Sequence, residues 1–233
     1  MSPTESPAAP ASPAELLRTA LAVIAQYAPQ AIELGQVFAD AGHELALVGG
    51  PVRDAFLGRA SVDLDFATSA HPEQTEELLS AWGEATWDMG REFGTIGARK
   101  GAAVVEVTTY RTEAYDPDSR KPDVVYGDTL DGDLSRRDFT VNSMALRLPD
   151  LVFVDPFNGL GDLADGVLRT PATPEQSFSD DPLRMLRAAR FAAQLRFDVH
   201  PDAMVAMTDM AERIGIVSAE RVQAELAAAM ESL

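Results

Sequence analysis

The segment LVGGPVRDAFLGRASVDLDFAT, Leu47 to Thr68, constrains this chain more than any other stretch. A short apolar run reads as a strand and ends in Gly49 and Gly50. Pro51 to Leu57 then has room for about two helical turns, with Gly58 as a stop. Asp63 and Asp65 follow, separated by one leucine. Residues i and i+2 of a strand share a face, so this pattern presents two carboxylates side by side. Like charges that close repel, and a cation between them would relieve the repulsion.

Composition removes several alternatives. The chain has no cysteine, which excludes disulfide scaffolds, thiolate zinc sites and cysteine nucleophiles. His43, His71 and His200 are scattered without metal-ligand spacing. With 233 residues, 46% of them hydrophobic, the chain can build one large or two modest domains. Residues 1–15, rich in Pro, Ala and Ser, read as a disordered lead-in and not as a signal peptide. No run is apolar enough to cross a bilayer, so a cytoplasmic protein is expected. The formal net charge of −18 argues against a broad electrostatic grip on nucleic acid.

Pattern reading gives a mixed α/β unit up to about Thr170 and an all-helical segment after Pro174. Helix is expected from Pro13 to Ala39 with a break at Pro29, and again in HPEQTEELLSAWG. Strands are expected at LALV, DLDFA and LVFVD, with a hairpin in TIGARKGAAVVEVTTY turning near Lys100 and Gly101. LSRRDFTVNSMALRL reads as helix and GLGDLADGVLR as a connector. The polar stretch Thr112 to Asp131 reads as a loop, in which Arg120, Lys121 and Asp123 are candidates for loop function.

On the second arm of the hairpin, Glu106 sits among β-branched neighbours. If that strand lies beside DLDFA, then Asp63, Asp65 and Glu106 converge, and such a donor set suits Mg²⁺ together with phosphate oxygens. Two metal ions so placed would activate an attacking hydroxyl and stabilise a leaving pyrophosphate. A Gly-Gly turn opening a helix lets backbone N–H groups approach a triphosphate, although no P-loop follows. Each motif also has a plain reading: DLD alone is usually a solvent face, and Gly-Gly usually only a turn. The fixed order of strand, Gly-Gly, short helix, DxD strand and hEh strand (h, hydrophobic) favours the catalytic one.

LVGGPVRD with DLDFAT resembles the signature of the polymerase-β-like nucleotidyltransferases, and more closely that of class II tRNA CCA-adding enzymes and bacterial poly(A) polymerases. The resemblance continues in order through VEVTTYR, LSRRDFTVNSMAL, DPFNGLGDLADGVLR, DDPLRMLRAARFAAQL and SAERVQAEL, from about Leu45 to Leu226. It implies an α+β fold: a head at 16–172, with a small mixed sheet flanked by helices, followed by a helical neck at 173–233. It also implies Asp63 and Asp65 as metal-holding catalytic residues with Glu106 as a third acid. Gly49, Gly50, Arg53, Arg136, Arg137, Asp138 and Asn142 would serve sugar and triphosphate. Asp181 and Arg184 would belong to a base-selecting Glu-Asp-x-x-Arg motif, whose first position here is Asp180, and Arg187 would bind the nucleotide as well.

The base-reading chemistry is reasonable. A carboxylate only accepts and a guanidinium only donates, and cytosine and adenine each offer an amino donor beside a ring-nitrogen acceptor. Uracil and guanine offer the reverse and would leave buried groups unpaired. Asp181 and Arg184, three apart on an expected helix, can share a face; an N-terminal cap with an intrahelical ion pair is the competing reading, and for Asp180 the better one.

The expected activity is template-independent addition of CMP and AMP from CTP and ATP to the tRNA 3′ end. Poly(A) addition, partial CC- or A-addition, and an inactive nucleotide-binding module are the alternatives. The motifs account for head and neck only, so the chain is expected to be an N-terminal piece with a weak grip on tRNA.

Overall fold

The structure, a computed structural model, describes residues 12–61, 63–114 and 123–230. Helices α1 (Pro13–Tyr27) and α2 (Pro29–Asp40) divide at Ala28, as the proline at position 29 predicts. Ser12 and Glu15 close a capping box at the start of α1, so the helix takes up the last residues of the expected lead-in. Residues 1–11 lie outside the described residues.

Strand β1 (Leu45–Val48) leads through Gly49 into α3 (Gly50–Phe56), and β2 (Asp63–Thr68) carries the paired aspartates. Helix α4 (Pro72–Trp82), β3 (Ala85–Trp87), β4 (Thr95–Lys100) and β5 (Ala103–Thr109) follow, the last two forming the expected hairpin. The stretch expected to be a loop instead contributes a separate ribbon of β6 (Arg111–Ala114) and β7 (Asp123–Tyr126). Arg120 and Lys121 lie outside the described residues, and Asp123 opens β7.

The expected helix over LSRRDFTVNSMALRL is corrected. Only α5 (Leu130–Ser135) is α-helical. A turn, one 3-10 turn at Thr140–Asn142 and strand β8 (Ala145–Leu148) make up the rest. Asp133, buried in α5, receives Arg136 and Arg137 at 2.5 and 3.0 Å, spacings that a helix allows, and the chain leaves the helix after them. Thr140 N–H then bonds the Arg169 carbonyl, 2.8 Å away, in place of a helical partner.

Strand β9 (Val152–Val154), helix α6 (Gly159–Asp165) and β10 (Val167–Leu168) complete the first unit. Helices α7 (Pro174–Asp180) and α8 (Leu183–Leu195), the short β11 (Asp198–Val199), α9 (Pro201–Asp209) and α10 (Ala219–Met230) form the helical segment. Its α8 is not separate from the sheet, because Ala188, Phe191 and Leu195 belong to the same buried cluster as Leu47, Phe66 and Val107.

The main sheet runs β3-β4-β5-β2-β1-β8-β9, parallel only between β2 and β5. Its two faces differ. Leu47, Leu64, Phe66, Ile96, Val105 and Val107 point into the main core with α1, α2 and α4. On the other face, Ala46, Val48, Ala67 and Ala145 pack beneath Leu130 and Leu134 of α5. Beyond α5 that face stays open, and Asp63, Asp65 and Glu106 stand on it. Among the described residues no helix is long and apolar enough to cross a membrane.

Candidate functional site

The register of β2 and β5 places Asp65 directly opposite Glu106, with Asp63 two residues along on the same face. Loss of hydration holds the Asp65 carboxyl above its ordinary value. Glu106 and then Asp63 add to this, and Arg137 opposes it. The expected convergence is therefore present as a shared face and not as a closed cage. Among the described residues no group of three or more His, Asp or Glu is arranged to hold a metal ion. The donor set nevertheless fits Mg²⁺, which is commonly held by one or two carboxylates completed by substrate phosphates.

Asp65 forms one wall of a cleft of about 470 Å³. Gly49 and Gly50 border it from the β1–α3 turn, and Asp181 and Arg184 close it from the helical segment. Gly49 adopts φ +72°, which requires glycine, and a Cβ there would stand 2.9 Å from Arg137 Nη1, so that side chain would have to move. The Arg137 Nε is buried without a hydrogen-bond partner. A donor left so in a cleft wall awaits an acceptor, and phosphate oxygens match a guanidinium fork.

The charge objection also has an answer. Seven arginines line this cleft, at 53, 111, 136, 137, 184, 187 and 221, out of 19 lysines and arginines in the whole chain. A strongly acidic protein thus concentrates its positive charge where a polyphosphate would sit.

Several predicted binding residues are committed to one another. Arg53, 5% exposed, donates to Asn142 Oδ1 at 2.8 Å and to Asp54 at 2.9 Å. Asn142 in turn donates to Asp138 Oδ1 at 3.0 Å, and Asp138 Oδ2 accepts from Arg187 Nε and Nη2 at 2.9 and 2.7 Å. Burial alone would raise the Asp138 carboxyl; Arg187 and Asn142 outweigh it and hold the group below the ordinary carboxylate range. The Phe191 ring lies beneath the Arg53 and Arg187 guanidiniums at 5.2 and 5.4 Å.

Asp181 and Arg184 do not share a helix face. Asp181 is extended between α7 and α8, because Pro182 separates the two helices. One Asp181 oxygen accepts from Leu183 N–H at 3.1 Å and the other from Arg221 Nη2 at 2.8 Å. Arg184 pairs instead with Ser177 Oγ at 2.9 Å and the Arg136 carbonyl at 2.6 Å. Both still line the one cleft. Asp180 faces Gln176, one turn back on α7. Sequence reasoning missed Asp133, Arg221 and Phe191; Arg221 does stand in the quoted SAERVQAEL.

Residues 45–169 match the family described as the poly A polymerase head domain, and residues 196–232 match the one described as the probable RNA and SrmB-binding site of polymerase A. A CCA-adding enzyme of Levilactobacillus brevis is 39% identical over 206 residues, which are 86% of this chain and 51% of that protein. The Bacillus stearothermophilus CCA-adding enzyme, solved in complex with CTP, superposes with TM-score 0.77 at 34% identity, over 86% of this chain and 48% of that one. A tRNA nucleotidyltransferase complexed with a primer tRNA and an incoming ATP analogue gives TM-score 0.68 at 33% identity, over 83% and 54%. The chain thus spans about half the length of the relatives it matches. With the head-domain match covering residues 45–169, more than half of its length, the chain belongs to the poly A polymerase head-domain family of nucleotidyltransferases.

Proposed function

We propose that this chain carries the transfer centre of a tRNA nucleotidyltransferase that adds CMP and AMP, from CTP and ATP, to the tRNA 3′ end. One observation carries the reading: Asp65, Gly49, Arg137, Asp181 and Arg184 line a single cleft. A nucleoside triphosphate laid across it would meet a carboxylate strand at its α-phosphate, an unpaired guanidinium donor at its phosphates and a donor–acceptor pair at its base. The likeness to CCA-adding enzymes over 86% of the chain supports the choice of bases.

In this reading the head comprises residues 16–172 and the neck 173–233. Asp63 and Asp65 would hold Mg²⁺, with Glu106 alongside; the ion, when bound, lowers the pKa of the attacking hydroxyl and offsets charge on the leaving pyrophosphate. The residues of the chain bind and orient. Arg136 and Arg137, held by Asp133, face the phosphates, and Gly49 and Gly50 let the backbone approach. Asp181 accepts from the amino group of cytosine or adenine, and Arg184 donates to the neighbouring ring nitrogen. The RNA 3′-oxygen forms its bond to the α-phosphorus as the bond to pyrophosphate breaks, with no covalent enzyme intermediate.

Asp63→Ala tests the assignment. The variant should lose incorporation of labelled CMP into tRNA lacking its terminal CCA, with its circular dichroism and melting temperature close to those of the unsubstituted chain. A substantial residual rate would refute the carboxylate assignment.

A further inference from the structure

The open face of the sheet continues past the carboxylates. Residues paired across strands point to the same side, and one cross-strand row reads Trp87, Gly97, Glu106, Asp65. Gly97 is buried although its face is open, because the Trp87 indole lies across it. A Cβ at Gly97 would stand 2.1 Å from both Nε1 and Cε2 of that ring. Any other residue there would evict the indole. Trp87 is only partly buried, and Arg99, exposed, stands two residues beyond Gly97 on the same face.

We propose that Trp87 is the stacking platform for the 3′-terminal base of the RNA that receives the nucleotide. The inference rests on the transfer reading given above and adds the acceptor's subsite to it. An in-line displacement brings the attacking oxygen from the side of the phosphorus opposite the leaving pyrophosphate. The phosphate-facing groups, Gly49 and Arg137, lie on the β1 side of Asp65, so the acceptor arrives from the side of β5, β4 and β3. There the indole over Gly97 stands one strand spacing, about 5 Å, from the strand bearing Glu106. An aromatic face accepts any base, which suits an acceptor whose terminal base changes as addition proceeds, and Arg99 offers a cation to the adjoining backbone phosphate.

The sequence contains two tryptophans, and Trp82 is buried in the main core. In the Trp82→Phe protein, emission therefore reports Trp87 alone. Titration with tRNA lacking its terminal CCA should quench it to saturation. Trp87→Leu, which fills space without stacking, should raise the KM for that tRNA about tenfold while the KM for CTP stays within about twofold. Trp87→Phe should restore most of the loss. Emission unchanged at saturating tRNA, or equal rises in both KM values, would overturn the platform and leave the transfer reading standing. Failure of the unsubstituted chain to incorporate any nucleotide would remove that reading, and this proposal with it.

Discussion

Arg187 on α8 donates both Nε and Nη2 to one oxygen of Asp138, an aspartate 49 residues earlier that follows the Arg136–Arg137 pair. This contact ties the helical segment to the turn after α5, and Arg190 and Arg187 extend it to Glu225 on α10. The helical segment and the turn that carries Arg136 and Arg137 are thereby joined in one frame of ion pairs.

Breaking that contact from one side should be costly. Arg187→Gln leaves the Asp138 carboxylate, 7% exposed, without its cation. The loss should be about 2 kcal/mol, below the range for a fully buried pair because part of the Arg187 side chain reaches solvent. A denaturant double-mutant cycle with Asp138→Asn measures it: the double variant should lose less than the sum of the single variants. Strict additivity would show that the two side chains do not interact.

Acid should loosen the same frame. Burial acts to raise the carboxyls of Asp133 and Asp138, but the facing arginines prevail and hold both below the ordinary value of 3.8. Groups whose pKa falls on folding stabilise the native state above the unfolded pKa and lose that contribution as pH falls through the folded pKa. The melting temperature should therefore be insensitive to these two groups near neutrality and fall steeply below about pH 4. The Asp138→Asn protein should show a shallower acid limb. An equally steep limb would exclude Asp138 as a contributor.

Gly49→Ala should injure both backbone and ligand contacts. Positive φ costs a non-glycine residue about 1–2 kcal/mol, and the methyl group would press on Arg137 Nη1, 2.9 Å away. The KM for CTP should rise severalfold, with a smaller change in the KM for tRNA. A shift in the tRNA constant alone would contradict the phosphate-facing placement.

Asp181→Asn should relax base choice. An amide can present its N–H₂ where the carboxylate could only accept, so the carbonyl of uracil finds a donor. The ratio of UMP to CMP incorporation should rise about tenfold or more, in line with discrimination set by unpaired polar groups. An unchanged ratio would place base selection elsewhere.

Local patterns made the carboxylate face readable in advance. The period-2 alternation of DLD and VEV determines which residues share a face, and the Gly-Gly turn marks the strand-to-helix entry; β1, β2, β4, β5 and α3 follow from these alone. The segment from Leu134 to Leu148 was not readable in this way. Its course departs from a helix where Thr140 N–H bonds the Arg169 carbonyl, a contact between distant residues that no helical periodicity records. The periodicity of DDPLRMLRAARF predicts a helix through Asp181, yet Pro182 divides the helices there and exposes the aspartate to Arg221, 40 residues away. Trp87 left no motif at all, since its place is defined by the space at Gly97 across a strand pair.

The most direct test of the account is the 3′-end product ladder formed by this chain on tRNA lacking its CCA, with Mg²⁺ and all four nucleoside triphosphates at equal concentration. The account predicts products ending in C, then C-C, then C-C-A, with no U or G incorporated. Incorporation of U or G at rates comparable to C and A, or no extension at all, would contradict it.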